Sequence, residues 1–158
     1  MTTTSSGPPA PFQALLRVPV PWVFILGYLP GAGLQFVWRV RLGPFQWAGV
    51  ATFAAGAALA AWGWLIFFRQ RTTTVPGRAS SAFVTWGPYQ FTRNPMYLGL
   101  SIAYVGEALI QGHVWPLLFL PLVVAYVNWI VIPIEEAKLT SVFGDRYVQY
   151  CARVRRWF

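Results

Sequence analysis

Residues 45–68 have the sequence FQWAGVATFAAGAALAAWGWLIFF, a run of 24 residues without a charge. A helix over this run is ~36 Å long, which is enough to cross a hydrocarbon core of ~30 Å with some tilt. Within the run, Gly49, Gly56 and Gly63 recur every seven residues among many alanines. Such a stripe of small residues favours close packing against another helix. This stretch therefore predicts a membrane-spanning helix inside a helical bundle.

The composition of the whole chain points to the same class. Of its 158 residues, 56% are hydrophobic and only 10% are charged, whereas soluble domains have about 25% charged residues. Twelve basic against four acidic residues give a net charge of +8. The basic residues flank apolar runs and form no single polar face, so we expect membrane lipids as partners and no nucleic acid. A lone cysteine, Cys151, and a lone histidine, His113, argue against a disulfide or a metal site.

Three further apolar segments, at residues 20–38, 97–111 and 114–134, bring the predicted number of spans to four in a single all-α domain. Residues 1–17 are expected to form a loose tail. Pro30 and its neighbouring glycines predict a kink or break in the first span. Only two residues separate the third and fourth spans, which predicts a tight helical hairpin. Glu107 lies inside the third span, where an acid costs about 2.5–3.5 kcal/mol, so it is a candidate for a structural or substrate-binding role.

The distribution of basic residues predicts the orientation. With the N-terminus in the cytoplasm, ten basic residues are cytoplasmic and two, Arg39 and Arg41, lie on the opposite side, as the positive-inside rule favours. The ten are Arg17, Arg69, Arg71, Arg78, Arg93, Lys138, Arg146, Arg153, Arg155 and Arg156. Both termini and both polar segments of the chain are then cytoplasmic.

The first polar segment contains GPYQFTRNPMYLG at residues 87–99. Asn94 followed by Pro95 predicts a helix start, with Asn at the N-cap and Pro at the first helical position. Free backbone N–H groups at this helix start, together with Arg93, suit a carboxylate or a phosphate. The alternative is that Arg93 anchors the helix at lipid headgroups.

The second polar segment, residues 135–158, begins with the pair Glu135 and Glu136. Apolar residues then recur at helical spacing, which predicts an amphipathic helix at the membrane surface, interrupted at Gly144. The two glutamates either cap the N-terminus of this tail helix or bind a cationic group such as an ammonium. Because the chain has no phosphate-binding loop, CxxC pair or HExxH motif, any chemistry must come from a cofactor held by the two polar segments.

The motif GPYQFTRNPMYLG, followed by a helical hairpin and EEAKLTSVFGDRYVQYCARVRRW at residues 135–157, resembles the isoprenylcysteine carboxyl methyltransferase and phospholipid methyltransferase superfamily. Its short bacterial members are the most similar. The resemblance covers residues 70–158, and the first two spans match only in kind. It implies an integral membrane methyltransferase of the bacterial inner membrane that uses S-adenosylmethionine and takes lipophilic acceptors sideways from the bilayer.

The resemblance also implies which residues form the site. Arg93 and Glu136 are the expected catalytic pair, with Arg93 binding the methionine carboxylate and Glu135 or Glu136 its ammonium. Three tyrosines, Tyr89, Tyr97 and Tyr147, are expected to stack on adenine or to line the sulfonium. The full set expected at the cofactor is Tyr89, Arg93, Asn94, Pro95, Tyr97, Gly99, Glu135, Glu136, Leu139, Tyr147 and Tyr150.

This sequence departs from the isoprenylcysteine branch at two places. Asn94 stands where that branch usually has His, and residues 131–134, VIPI, lack the Arg that reads the acceptor's carboxylate. An amine, a thiol, a hydroxyl or another lipid-like acceptor is therefore equally open. Two competing hypotheses are a membrane scaffold without catalysis and an NADPH-dependent membrane reductase of related fold.

Overall fold

The computed structural model describes residues 20–70 and 84–158, and these form a bundle of helices. No β-strand occurs among them, although Arg41 and His113 form an isolated bridge. The predicted tail at residues 1–17 and the basic residues Arg71 and Arg78 lie outside the described residues. The elements are α1 (Val20–Val37), α2 (Gln46–Gln70), a 3₁₀ turn (Gly87–Gln90), α3 (Pro95–Gln111), α4 (Trp115–Tyr126), a π-helical segment (Val127–Val131), α5 (Ile132–Phe143) and α6 (Asp145–Arg153).

Three helices are long and apolar enough to cross a membrane: Val20–Val37, Gln46–Ile66 and Trp115–Phe143. Many large apolar side chains on these helices, including Trp22, Leu118 and Trp129, are exposed, as expected for surfaces that face lipid. The predicted third span corresponds to α3, which has 17 residues and is therefore only ~26 Å long. A fourth crossing thus stays a prediction.

The glycine stripe of α2 packs against α3, as the sequence predicts. A Cβ atom at Gly49 would collide with the backbone of Gly106 and Ile110, and one at Gly56 with the backbone of Gly99 and Ala103. At the other end of the interface, Gly63 lies against Pro95 and Met96. The two antiparallel backbones approach so closely because glycines occupy the positions of closest contact.

The first span is one continuous helix, so of the predicted kink or break the break does not occur, and the kink stays a prediction. Helix α1 runs from Val20 to Val37 through Pro30. The neighbouring Gly31 is buried against the backbone of Trp115 and Pro116 at the start of α4. The glycine is therefore used for close approach between α1 and α4, and not for a break in the helix.

The turn between α3 and α4 is as tight as predicted. Gly112 ends α3 with a positive φ of 66°, a conformation that glycine adopts without strain. Beyond the turn, however, the two helices pack mainly against other partners, α3 against α2 and α4 against α1. The hydroxyl of Tyr104 links them by donating to the carbonyl of Pro116 at 2.9 Å.

The last helices differ from the prediction in one respect. The chain is helical without a break from Trp115 to Phe143, so Glu135 and Glu136 lie within a continuous helix and do not begin a separate one. The helix ends at Gly144, whose φ is 51°, and α6 follows. The predicted interruption at Gly144 is confirmed.

Candidate functional site

The two polar segments meet at one end of the bundle, where the last residues of the chain lie along residues 92–94. The backbone N–H of Arg93 donates to the carbonyl of Arg155 at 3.0 Å. Both the Thr92 hydroxyl, at 3.1 Å, and the Asn94 amide, at 2.9 Å, donate to the carbonyl of Arg156. These bonds join positions more than 60 residues apart in sequence, and they place the two predicted motifs in one site.

Glu136 occupies the centre of this site between two arginines. Its carboxylate lies 3.2 Å from the Arg93 Nη1 atom and 2.6 Å from the Arg156 Nη2 atom. The exposed fractions of the Arg93 and Glu136 side chains are only 15% and 19%, so water screens this pair less than it screens a surface pair. Two guanidinium groups around one carboxylate leave a local charge of about +1, which suits an additional anion. We call these three side chains the charge cluster.

Arg93 retains a donor that no group of the described residues uses. Its Nε atom is buried and has no hydrogen-bond partner among the described residues, while its Nη1 atom contacts both Glu136 and the sulfur of Cys151. Burial lowers the pKa of Arg93, but the Glu136 carboxylate and the Cys151 thiol raise it, and the net shift is upward. A buried donor without a partner is costly, so this atom fits the carboxylate of a bound ligand.

Glu135 has a different partner from its neighbour. Its Oε1 atom accepts a hydrogen bond of 2.8 Å from the hydroxyl of Tyr97, on the third helix. Successive residues of a helix are about 100° apart around its axis, so the two carboxylates point to different surroundings. Only Glu136 belongs to the charge cluster.

The asparagine at the start of α3 does not act as predicted. Asn94 is at the N-cap position and Pro95 is the first residue of the helix, but the Asn94 side chain makes no capping bond. Its amide is instead used to hold the carbonyl of Arg156. The helix start is therefore as predicted, whereas the side chain serves a long-range contact.

The tyrosines of the site are buried in the protein's own packing. Tyr89 donates to the Gly63 carbonyl at 3.2 Å, and Tyr150 donates to the Tyr89 carbonyl at 2.7 Å. Burial raises the pKa of Tyr150 to about 12, and burial together with the Glu135 charge raises the pKa of Tyr89 to about 12. Tyr147 and Tyr150 form a small core with Val154, against which Leu139 packs. Stacking of tyrosines on adenine stays a prediction.

The remaining predicted residues lie beside the site and not in the charge cluster. Pro95 is fully buried. Gly99 faces the backbone of Gly56 and Ala60, so its contact is with α2. Both residues bring the start of α3, and hence Arg93, close to the second helix.

Sequence reasoning named Arg156 only among the cytoplasmic basic residues, and it did not single out Asn128 or Trp157, which lie beside Arg156. Asn128 accepts from the Arg156 Nη1 atom at 3.4 Å and from the Trp157 Nε1 atom at 3.0 Å. A lone amide in the long apolar run from Trp115 to Ile134 is a signal that could have identified Asn128. Trp157 carried no such signal, since aromatic residues are common throughout the chain.

The chain belongs to the phospholipid methyltransferase family, whose pattern matches residues 44–146, more than half of the chain. It is 39% identical over 67 residues to methanethiol S-methyltransferase 1 of Bradyrhizobium diazoefficiens, covering 42% of this chain and 22% of the relative. It is 38% identical over 71 residues to protein-S-isoprenylcysteine O-methyltransferase of Schizosaccharomyces pombe, covering 45% and 30%. The matched segments are thus less than a third of each relative's length. No solved structure matches the chain significantly.

Proposed function

We propose that this protein is an integral membrane methyltransferase that uses S-adenosylmethionine to methylate a lipophilic or lipid-linked acceptor. The observation that carries the proposal is the charge cluster, in which the Arg93 Nε atom is buried and has no hydrogen-bond partner within residues 20–70 and 84–158. It lies where both segments of the family resemblance meet. The cofactor, when bound, supplies an electrophilic methyl group.

The charge cluster accounts for how the amino-acid part of the cofactor is held. Arg93 offers its buried Nε–H to the carboxylate, and the surplus positive charge of the cluster favours that anion. The carboxylates of Glu135 and Glu136 are the acceptors available for the ammonium. Glu136 additionally orients Arg93, because the two side chains are in contact.

Little acid–base chemistry is expected from the protein. Asn94 stands where a histidine base is usual in the isoprenylcysteine branch, and its amide already holds Arg156. The protein therefore contributes mainly by aligning the acceptor with the methyl group and by excluding water. The low exposure of Arg93 and Glu136 supports the second contribution.

The membrane arrangement of this enzyme has four crossings, with α3 as the shortest and both termini in the cytoplasm of a bacterial cell. The tight turn at Gly112 supports a fourth crossing, because it returns the chain directly into the long helix from Trp115. Helix α6 lies at the membrane surface with Arg146 and Arg153 toward the headgroups. Both arginines are exposed, while Tyr147 and Tyr150 of the same helix are buried.

The acceptor is an apolar molecule with a nucleophilic amine, thiol or hydroxyl group. One relative is named for a small thiol and the other for an isoprenylated cysteine, so both small and lipid-linked acceptors occur around this chain. The absence of an arginine at residues 131–134 disfavours a carboxylate acceptor.

Calorimetric titration of the detergent-purified chain with S-adenosylmethionine and S-adenosylhomocysteine tests the proposal, with NADPH as the control. We expect saturable micromolar binding of the first two and none of NADPH. Failure of both to bind protein shown to be folded by circular dichroism would favour the scaffold hypothesis. Binding of NADPH alone would favour the reductase.

A further inference from the structure

The long helix contains a π-helical segment, Val127–Val131, which contacts Arg156 of the charge cluster. A π turn contains one extra residue per turn, so it rotates the side chains around it relative to an α-helix, and such turns are frequent at functional sites. Asn128 lies in this segment, and both its backbone and its side-chain oxygens face Arg156, at 3.3 and 3.4 Å from the Arg156 Nη1 atom. The segment thus presents an amide toward the end of the chain.

Asn128 fixes the position of Trp157. The indole Nε1 atom donates to the Asn128 Oδ1 atom at 3.0 Å, and the adjacent Arg156 is held by Glu136 and by Asn94. The indole ring packs against the main apolar core of the bundle. A residue next to the C-terminus is therefore held from three sides.

Trp157 borders an apolar cavity of about 340 Å³ that lies between α3 and α4 and is open to the outside of the bundle. The other lining residues are Leu98, Ser101, Val124 and Phe158. The one hydroxyl in the lining, that of Ser101, donates to the Tyr97 carbonyl at 2.8 Å, so the cavity offers only carbon surface to a ligand. The volume is at the lower end of the range of small-molecule sites, about 300–1,000 Å³.

This cavity is connected to the charge cluster through Trp157. Asn128 accepts from both the Trp157 Nε1 atom and the Arg156 Nη1 atom, and Arg156 pairs with Glu136. An apolar molecule in the cavity would lie next to the residues proposed to hold the methyl donor.

We propose that Trp157, positioned by Asn128, is a specificity-determining residue that limits the size of the apolar part of the methyl acceptor in this cavity. The inference rests on the proposed function. It assigns a compact apolar group to the acceptor. It also predicts that removing the indole widens the range of accepted molecules.

The test uses the full chain in lipid nanodiscs and a photoreactive probe, a short alkyl diazirine bearing a thiol, under reducing conditions. Mass spectrometry maps the cross-links, and 1-butanethiol and the bulkier 1-adamantanethiol compete for labelling. We expect cross-links at residues 98–101, 124 and 157–158. A probe of the same chain length with a phosphocholine headgroup should label these positions less.

Three variants test the role of Trp157. In Trp157→Ala, the concentration of 1-adamantanethiol needed for half competition should fall at least tenfold relative to that of 1-butanethiol. If two more methylene groups of 1-adamantanethiol are buried in the variant, at ~0.8 kcal/mol each, its affinity rises about fifteenfold. Asn128→Leu, which removes the acceptor of the indole bond, should shift the same ratio in the same direction. Trp129→Ala is the matched control, since Trp129 is adjacent but 73% exposed, and the ratio should not change.

An unchanged ratio in Trp157→Ala, an equal change in Trp129→Ala, or cross-links spread along the lipid-facing helices would overturn the proposal. Equal labelling by the phosphocholine probe would identify the cavity as a site for bilayer lipid. Binding of S-adenosylmethionine, measured calorimetrically on the same protein, separates the two proposals. Localised labelling without cofactor binding would refute the proposed function, whereas cofactor binding without localised labelling would refute only the role of Trp157.

Discussion

The substitution Glu136→Gln removes the charge at the centre of the site while conserving its shape. The glutamate makes charge-assisted contacts of 3.2 Å to Arg93 and 2.6 Å to Arg156. Such contacts are roughly twice as strong as neutral hydrogen bonds, which contribute about 1 kcal/mol each. A glutamine keeps one carbonyl acceptor for the arginines but replaces the other oxygen by an NH2 donor that faces a guanidinium donor. The expected loss is therefore about 1 kcal/mol per contact, or about 2 kcal/mol in all.

We expect this loss to appear as weaker cofactor binding, because Arg93 is no longer held in place and an acceptor for the ammonium has lost its charge. A loss of about 2 kcal/mol corresponds to about thirtyfold in the dissociation constant of S-adenosylmethionine. Calorimetric titration measures this constant, and a circular dichroism melting curve shows that the variant is folded.

Glu107→Gln is the matched control. Glu107 lies outside the charge cluster, and its Oε1 atom accepts from the Gln111 amide at 3.1 Å, a bond that a glutamine carbonyl also makes. This variant should bind S-adenosylmethionine as the unmodified protein does. Equal dissociation constants for the two variants would refute the assignment of Glu136 to the cofactor site.

Three further predictions concern packing, pH and recognition. Gly56→Val should lower the melting temperature strongly, because a Cβ atom at Gly56 meets the backbone of the third helix. Gly33→Val should be tolerated, because a Cβ atom at Gly33 has no neighbouring atom within 4 Å. Equal melting temperatures of the two variants would contradict the proposed helix contact. The folded state binds the phenolic protons of Tyr89 and Tyr150 more tightly than the unfolded state does, since each pKa is raised to about 12. The melting temperature should therefore be highest below pH ~10 and should fall toward pH 12. This fall should be smaller in Tyr150→Phe, which has one phenolic group fewer. Arg93→Lys keeps the charge but lacks the Nε donor, so calorimetry should show at least tenfold weaker binding of S-adenosylmethionine, and unchanged affinity would refute carboxylate binding by that atom.

Much of the bundle was predictable because its signals are local. An uncharged run of 24 residues specifies a spanning helix by its own length, and a glycine every seventh residue specifies which of its faces approaches a neighbour. Gly144 likewise ends a helix wherever it occurs with a positive φ. The two polar motifs were identified from their own residues, and Arg93 and Glu136 do lie in contact.

The partners within the site were not predictable, because they depend on contacts between distant parts of the chain. Asn94 has the residue type and position of a helix cap, yet its amide bonds to the carbonyl of Arg156, 62 residues away. Glu135 and Glu136 are equivalent in sequence, and only the orientation of the fifth helix gives one to Tyr97 and the other to the arginines.

The sequence by itself therefore determined a membrane-embedded helical bundle with two polar segments at one end, since apolar length, small-residue spacing and charge are properties of short stretches. The tertiary structure decided that the helix from Trp115 continues through the glutamate pair and that its π-helical segment presents Asn128 to Trp157. It also decided that residues 155–157 lie against residues 92–94 and Asn128. These features arise from long-range packing, in which a hydrogen bond or a side-chain volume selects among alternatives that local propensity leaves nearly equal in free energy.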